Sequence, residues 1–151
     1  MSGETAIVVP ADDSRVLRAF GEEVIILLDG EQTGGRQTMW LETTPPNGGP
    51  PTHFHINDDE TFYVLEGRVS IFHDSHWEEI GPGGSAFVPR GQLHTFKNVG
   101  QSASRMLLST SPSGFEVFFS RCAEEFGKPV GVDMGRVFGI AAEHGIHFVN
   151  K

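Results

Sequence analysis

Cysteine is almost missing from this chain: Cys122 is the only one among 151 residues. A single thiol closes no internal disulfide, which excludes a disulfide-stapled scaffold and points to a reducing compartment. Cationic residues are scarce as well. Eleven Lys and Arg stand against 20 Asp and Glu, and the formal charge of −9 disfavours nucleic acid and anionic membranes by repulsion. No run of about 18 apolar residues occurs, and residues 1–16 hold neither a basic region nor an apolar stretch of leader length. A soluble, cytosolic protein is expected, without membrane or nucleic-acid partners. The length fits one compact domain, 1–151, with a barrel over about 15–111 and a helical cover over about 113–145.

Helical patterning is sparse before Ser113, and what is present there reads as β. Short β-branched and aromatic runs recur between Gly, Pro, Asn and Asp clusters, the pattern of an all-β barrel or sandwich. Strands are predicted over 15–20, 24–28, 37–43, 52–55, 60–66, 68–73, 85–88, 94–98 and 105–111. Gly67, Gly83, Gly84 and Gly91 read as turn positions with positive φ, and the Pro-rich stretch 45–51 as a stiff loop at the barrel mouth. Ser113 and Glu116 form a capping-box pattern ahead of Phe115, Phe118, Phe119 and Cys122 at helical spacing. This aromatic stripe suits either core packing over the barrel or a substrate lid, and Cys122 on it reads as a buried, inert thiol. A second helix is expected from Asp133 to His144, with Val137, Phe138 and Ala141 on one face and Gly145 as its stop.

Four residues carry the chemistry: His53, His55, Glu60 and His94. Residues two apart on a strand share a face, so His53 and His55 can converge on one ion. Imidazole suits Fe, Ni, Mn, Co or Zn, and the Glu60 carboxylate adds the negative charge that holds a divalent cation. Three His and one Glu, with no thiolate, argue against a closed structural zinc site and leave coordination positions for a substrate. The other histidines, His73, His76, His144 and His147, show no partner spacing and read as surface or satisfied residues. Arg90 reads as a solvated side chain.

The spacing around the four residues resembles the two signature motifs of the cupin superfamily. His53, His55, Glu60 and Gly67 fit the first motif, with Asn47 where the family usually has Gly. Asn tolerates the left-handed backbone such a turn needs. Gly83, Pro89, Gly91, His94 and Asn98 fit the second motif throughout, so nine of ten defined positions agree. The segments FYVLEGRVSIF, FVPRGQLHTFKN and SPSGFEVFF, with the final AAEHGIHFV, are further similar to single-domain cupins of the quercetin 2,3-dioxygenase-like group. The resemblance implies a double-stranded β-helix (jelly-roll) barrel with short C-terminal helices, one divalent transition metal on His53, His55, Glu60 and His94, and a homodimer. It also implies a flavonol-like substrate whose hydroxyl proton Glu60 accepts as catalytic base.

Alternation adds Phe62, Val64 and Phe96 as inward residues of an apolar substrate pocket. Such walls suit an aromatic small molecule and suit a sugar phosphate poorly. The expected function is therefore a metal-dependent dioxygenase of a hydroxylated aromatic. The alternatives are a non-catalytic ligand-binding or metal-binding barrel, and an isomerase or decarboxylase.

Overall fold

A computed structural model describes residues 5–11 and 15–149. The ends of the expected 1–151 unit, and part of the N-terminal stretch 1–16, lie outside the described residues. The architecture is the expected all-β jelly roll, two antiparallel sheets facing one another with helices at one end.

Eleven strands make the sheets: β1 (Arg15–Ala19), β2 (Glu22–Leu28), β3 (Thr38–Thr44), β4 (His53–His55), β5 (Asp59–Glu66), β6 (Val69–His73), β7 (His76–Ile80), β8 (Ser85–Val88), β9 (His94–Asn98), β10 (Ser104–Ser111) and β11 (Ile146–Phe148). One sheet has the order β1-β2-β3-β10-β5-β8, and the other β11-β4-β9-β6-β7. A short α1 (Gly30–Thr33) links β2 to β3, while α2 (Phe115–Phe126) and α3 (Met134–Glu143) follow β10.

Strict alternation drives the assembly of the first sheet. Residues of β3 and β10 alternate buried and half-buried along their length, so Trp40, Met106 and Leu108 point inward with Phe62 and Val64 of β5. Register locks these positions into layers: Trp40 opposes Leu108, which opposes Phe62, and Glu42 opposes Met106, which opposes Val64. A slip of one residue would turn the whole set outward.

The predicted strands are all present with ends shifted by one or two residues, and two were not anticipated. β7 is exposed in all but its last residue, Ile80, and so shows no alternation, while β11 has three residues and exists by pairing with the distant β4. Gly67, Gly83 and Gly91 do take positive φ, as does Asn47 at 66°. Gly84 does not, and its turn is closed instead by its N–H donating to the Gly81 carbonyl at 2.9 Å.

The expected capping box at Ser113 is also corrected. The N-cap of α2 is Gly114, which has no side chain to cap with, and the Glu116 carboxylate accepts from the Gly114 N–H at 3.1 Å. It also accepts from the Gly30 N–H at 2.7 Å and the Thr38 hydroxyl at 2.6 Å, tying α2 to α1 and β3. Phe115 then stacks flat on Trp40, with ring centroids 3.7 Å apart. α3 starts from Asp133, whose carboxylate accepts from the Gly135 and Arg136 N–H groups, as a good N-cap does. Val137 and Ala141 are buried, whereas Phe138 is 37% exposed and only partly joins their face. Cys122 is fully buried on α2, and burial pushes its thiol up to about 12, as befits an inert packing residue. None of the helices among the described residues is long and apolar enough to cross a membrane.

Candidate metal centre

The two sheets each supply part of the site. His53 and His55 come from β4, and His94 from β9, where it lies directly across from His53 in the strand pair. Glu60 comes from β5 of the opposite sheet. All four are buried, and one donor atom of each lies within 4.8 Å of the others.

The loops between the strands hold this convergence. The Gly91 N–H donates to the His55 carbonyl at 2.6 Å, which ties the loop before His94 to the strand carrying His55. Gly91 has φ 87°, a conformation that a side chain would oppose. On the other side, the Asn47 N–H donates to the Asn98 carbonyl and the Asn98 N–H to the Gly48 carbonyl, and the Asn98 side-chain amide donates to the Thr44 and Ser102 carbonyls, each at 2.9 Å. Gly49 packs so closely under β9 that a Cβ there would collide with the Phe96 carbonyl. The Pro-rich loop is thus stitched to the strand that presents His94.

Each imidazole is anchored through its outer nitrogen. His53 Nδ1 bonds the Pro51 carbonyl at 2.8 Å, His55 Nδ1 the Asp58 carboxylate at 2.9 Å, and His94 Nδ1 the Gln92 carbonyl at 3.0 Å. An Nδ1–H donated to oxygen selects the tautomer whose Nε2 can serve as ligand, the arrangement metal-bound histidines use. Around Glu60 Oε1, His94 Nε2 stands at 2.9 Å and His55 Nε2 at 3.6 Å. His55 Nε2 is buried without a hydrogen-bond partner. An orphaned nitrogen beside a carboxylate, with its ring already oriented, fits a cation between them.

The electrostatics agree. Burial is the largest influence on His53 and, with the neighbouring His94 and His55, lowers it to about 3, so its neutral form is the one the fold holds. Burial also lowers His55, but the Asp58 hydrogen bond and the charges of Glu60 and Asp58 outweigh it, and the net direction is up. Glu60 is pushed up by burial and pulled further down by His55, His94 and His53, to about 2, which keeps it a carboxylate.

The cluster opens into an aromatic cavity of about 40 Å³ lined also by Glu22, Glu42, Phe62, Phe96, the Phe115, Phe118 and Phe119 rings of α2, and Phe148. Phe62 and Phe96 thus lie where the alternation put them. Val64 does not: it is fully buried but packs in the core one layer beyond Phe62, away from the cavity wall. The α2 stripe serves neither reading alone, since its rings pack against the barrel and form the cavity wall as well.

Arg90 is solvent-exposed, as expected, and is paired there with Asp59 at 3.1 Å and 3.2 Å through two of its nitrogens. His73 and His76 are not unrelated, because the β6–β7 hairpin brings them to each other and to Glu78, an exposed second cluster. The anchors Asp58, Pro51 and Gln92 and the cavity carboxylates Glu22 and Glu42 were not singled out. For the last two a signal existed: Glu22 is in phase with Val24 and Ile26, and Glu42 with Trp40.

Comparison with known proteins agrees with this geometry. A family model described as a cupin domain matches residues 40–110. A quercetin 2,3-dioxygenase from Bacillus subtilis (strain 168) is 28% identical over 107 residues, covering 70% of this chain and 32% of that protein. A protein named polyketide synthase CurC, from Streptomyces cyaneus, is 32% identical over 74 residues, covering 49% of this chain and 48% of that one. Among solved structures, the polyketide cyclase RemF from Streptomyces resistomycificus is 28% identical with a TM-score of 0.61, covering 72% of this chain and 81% of that one. The chain spans about a third to a half of the length of these curated relatives.

Proposed function

Because the chain belongs to the cupin superfamily, we propose that it is a metal-dependent enzyme acting on a hydroxylated aromatic small molecule, with dioxygenase chemistry as the first reading. The observation that carries the reading is the buried cluster with every imidazole anchored at Nδ1, opening into a cavity walled by phenyl rings. His53, His55, Glu60 and His94 would hold one divalent transition metal. When bound, such an ion supplies Lewis acidity and a coordination position for a substrate hydroxyl.

The rest of the work falls to the chain. Phe62, Phe96 and the α2 rings exclude water and present flat faces to an aromatic ligand. Glu60, held ionised, can accept the substrate hydroxyl proton at a carboxylate oxygen. Among the described residues the cavity lining contains no Lys or Arg to offer a cation to a sugar phosphate. A cavity of about 40 Å³ admits only roughly two or three waters. An aromatic ligand therefore enters by displacing the phenyl rings that fill the space.

The test is oxygen uptake by metal-reconstituted protein with a panel of flavonols. Substrate-dependent uptake that vanishes in His94→Ala is expected, and no uptake with any metal or flavonol would overturn the dioxygenase reading. The likeness to RemF favours a second reading, cyclisation of an aromatic polyketide, in which ring closure proceeds without oxygen. Turnover of such a substrate under anaerobic conditions separates the two. The homodimer belongs to the same proposal, motivated by exposed Trp77 and Phe87 on the edge strands β7 and β8. A monomer mass in sedimentation would remove it.

A further inference from the structure

Glu22 and Glu42 stand at the most unfavourable kind of position for a carboxylate. They are 3% and 5% exposed, project inward from β2 and β3, and line the same cavity as the histidine cluster. Their neighbours at equivalent inward positions, Val24, Ile26, Met106 and Leu108, show what this barrel uses for packing alone. Two apolar side chains would serve that purpose at lower desolvation cost.

Each carboxyl is oriented by one neutral donor. The Thr44 hydroxyl donates to Glu22 Oε1 at 2.7 Å, and the Trp40 indole N–H to Glu42 Oε1 at 2.9 Å. The two carboxyls act on one another in the same dry cavity and burial raises both, which favours one shared proton over two charges. Among the described residues no Lys or Arg lines the cavity, and the Glu60 charge acts on Glu42 and raises it further. Burial and the neighbouring Glu42 raise Glu22 well above the ordinary carboxyl range, so Glu22 is the partner that keeps the proton. The pair thus offers one O–H donor and strong acceptor oxygens in an otherwise aromatic chamber.

Position matters as much as chemistry. By register the Glu42 backbone lies level with Val64, four residues or roughly 13 Å along β5 from the backbone of Glu60, while its side chain reaches far enough for the Glu60 charge to act on it. The imidazole cluster and the carboxyl pair therefore enter the cavity from different register levels of the sheets, and Phe62, Phe96 and the α2 rings line it with them.

We propose that the Glu22–Glu42 pair is a specificity-determining site that binds a hydroxyl at the end of the substrate remote from the histidine cluster, so that the cavity selects aromatics with hydroxyls at both ends. This rests on the cavity being the substrate site. It adds that a single hydroxyl at the metal end is not sufficient for tight binding.

The probes are quercetin, hydroxylated on both ring systems, and the parent flavonol, which keeps only the hydroxyl beside its carbonyl. Both are titrated into metal-loaded wild type, Glu22→Gln and Glu42→Gln by absorbance. The wild type is expected to favour quercetin by roughly ten- to a hundredfold, the scale of a hydrogen bond to a charged group. Each substitution removes that margin, read as the ratio of the two affinities in the same variant. Equal binding of the two probes by wild type, or a margin kept in both variants, overturns this inference alone. Binding of neither probe overturns the aromatic-substrate reading with it. Infrared spectroscopy of ligand-free protein gives an independent readout: a protonated-carboxyl carbonyl band at neutral pH, lost in Glu22→Gln. Absence of the band in wild type overturns the proton-sharing pair whatever the probes do.

Discussion

Two clusters of histidine with one glutamate share this fold, and the histidines of both stand on the five-stranded sheet. In one, His53 and His94 have ring centroids 4.5 Å apart; in the other, His73 and His76 are also 4.5 Å apart. His73 is even the register partner of His94. Proximity therefore does not distinguish them. What differs is the surroundings: the first cluster is buried, has all three rings anchored through Nδ1, and faces a carboxylate from the opposite sheet. The second is exposed, and only His76 is anchored through Nδ1, to the Asp74 carbonyl at 3.1 Å. A metal site is made by groups that are held in place and kept from water before the ion arrives, and the hairpin cluster meets neither condition.

The sharpest way to break this comparison is to delete one residue from each cluster. His94→Ala should weaken metal retention by more than about a hundredfold, since loss of an outer partner alone costs roughly ten- to a hundredfold. His73→Ala should leave retained metal unchanged, as measured by elemental analysis after dialysis. Metal lost from His73→Ala and kept by His94→Ala would invert the assignment.

A second, smaller effect isolates anchoring from ligation. Asp58→Asn keeps the shape beside His55 but removes the charge that orients its ring, and metal affinity should fall by roughly ten- to a hundredfold. Unchanged affinity in a competitive chelator titration would show that anchoring is not what separates the clusters.

Acid distinguishes the clusters more gently. His53 takes up its proton near 6.5 in an unfolded chain and only at about 3 in the fold, so between these values the unfolded state holds more protons. Stability contributed by neutral His53 is thus lost as pH falls from 6.5 towards 3. Glu60, near 2 in the fold against 4.5 unfolded, acts in the same direction over its own lower window. Glu22 acts oppositely, losing stability as pH rises above 4.5, so the informative quantity is the difference between wild type and His53→Gln. The thermal midpoint of metal-free wild type should drop more steeply on acidification than that of the variant. Parallel curves would contradict the burial argument. The smallest change is expected from His73→Ala with His76→Ala, where exposed substitutions should alter unfolding free energy by no more than about 0.5 kcal/mol in a denaturant titration.

The four clustered residues and the jelly roll were legible because both depend on local spacing: His-x-His shares a face by strand period, and alternation sorts Trp40, Leu108 and Phe62 inward. What was hidden depends on distant pairing. Pro51 and Gln92 act through backbone carbonyls that leave no side-chain signature, and Asp58 becomes an anchor only when its loop folds back on His55. The His73–His76 cluster needed β7, whose exposed residues give no periodicity to read. Ser113 and Glu116 had the spacing of a cap, but the helix begins one residue later, at Gly114, and the Glu116 carboxylate holds Gly30 and Thr38 as well as the Gly114 N–H. Val64 alternated correctly and still missed the cavity, because inward along a strand is not the same as facing the open part of the core.

The central claim is that three imidazoles and one carboxylate from opposite sheets share a single ion. Metal-edge X-ray absorption on protein loaded with one equivalent of a divalent transition metal tests it most directly. Three imidazole ligands with additional oxygen scattering, at roughly 2.0–2.2 Å if the metal is zinc, are the expected result. Two or fewer imidazoles, as the hairpin cluster would give, would contradict it.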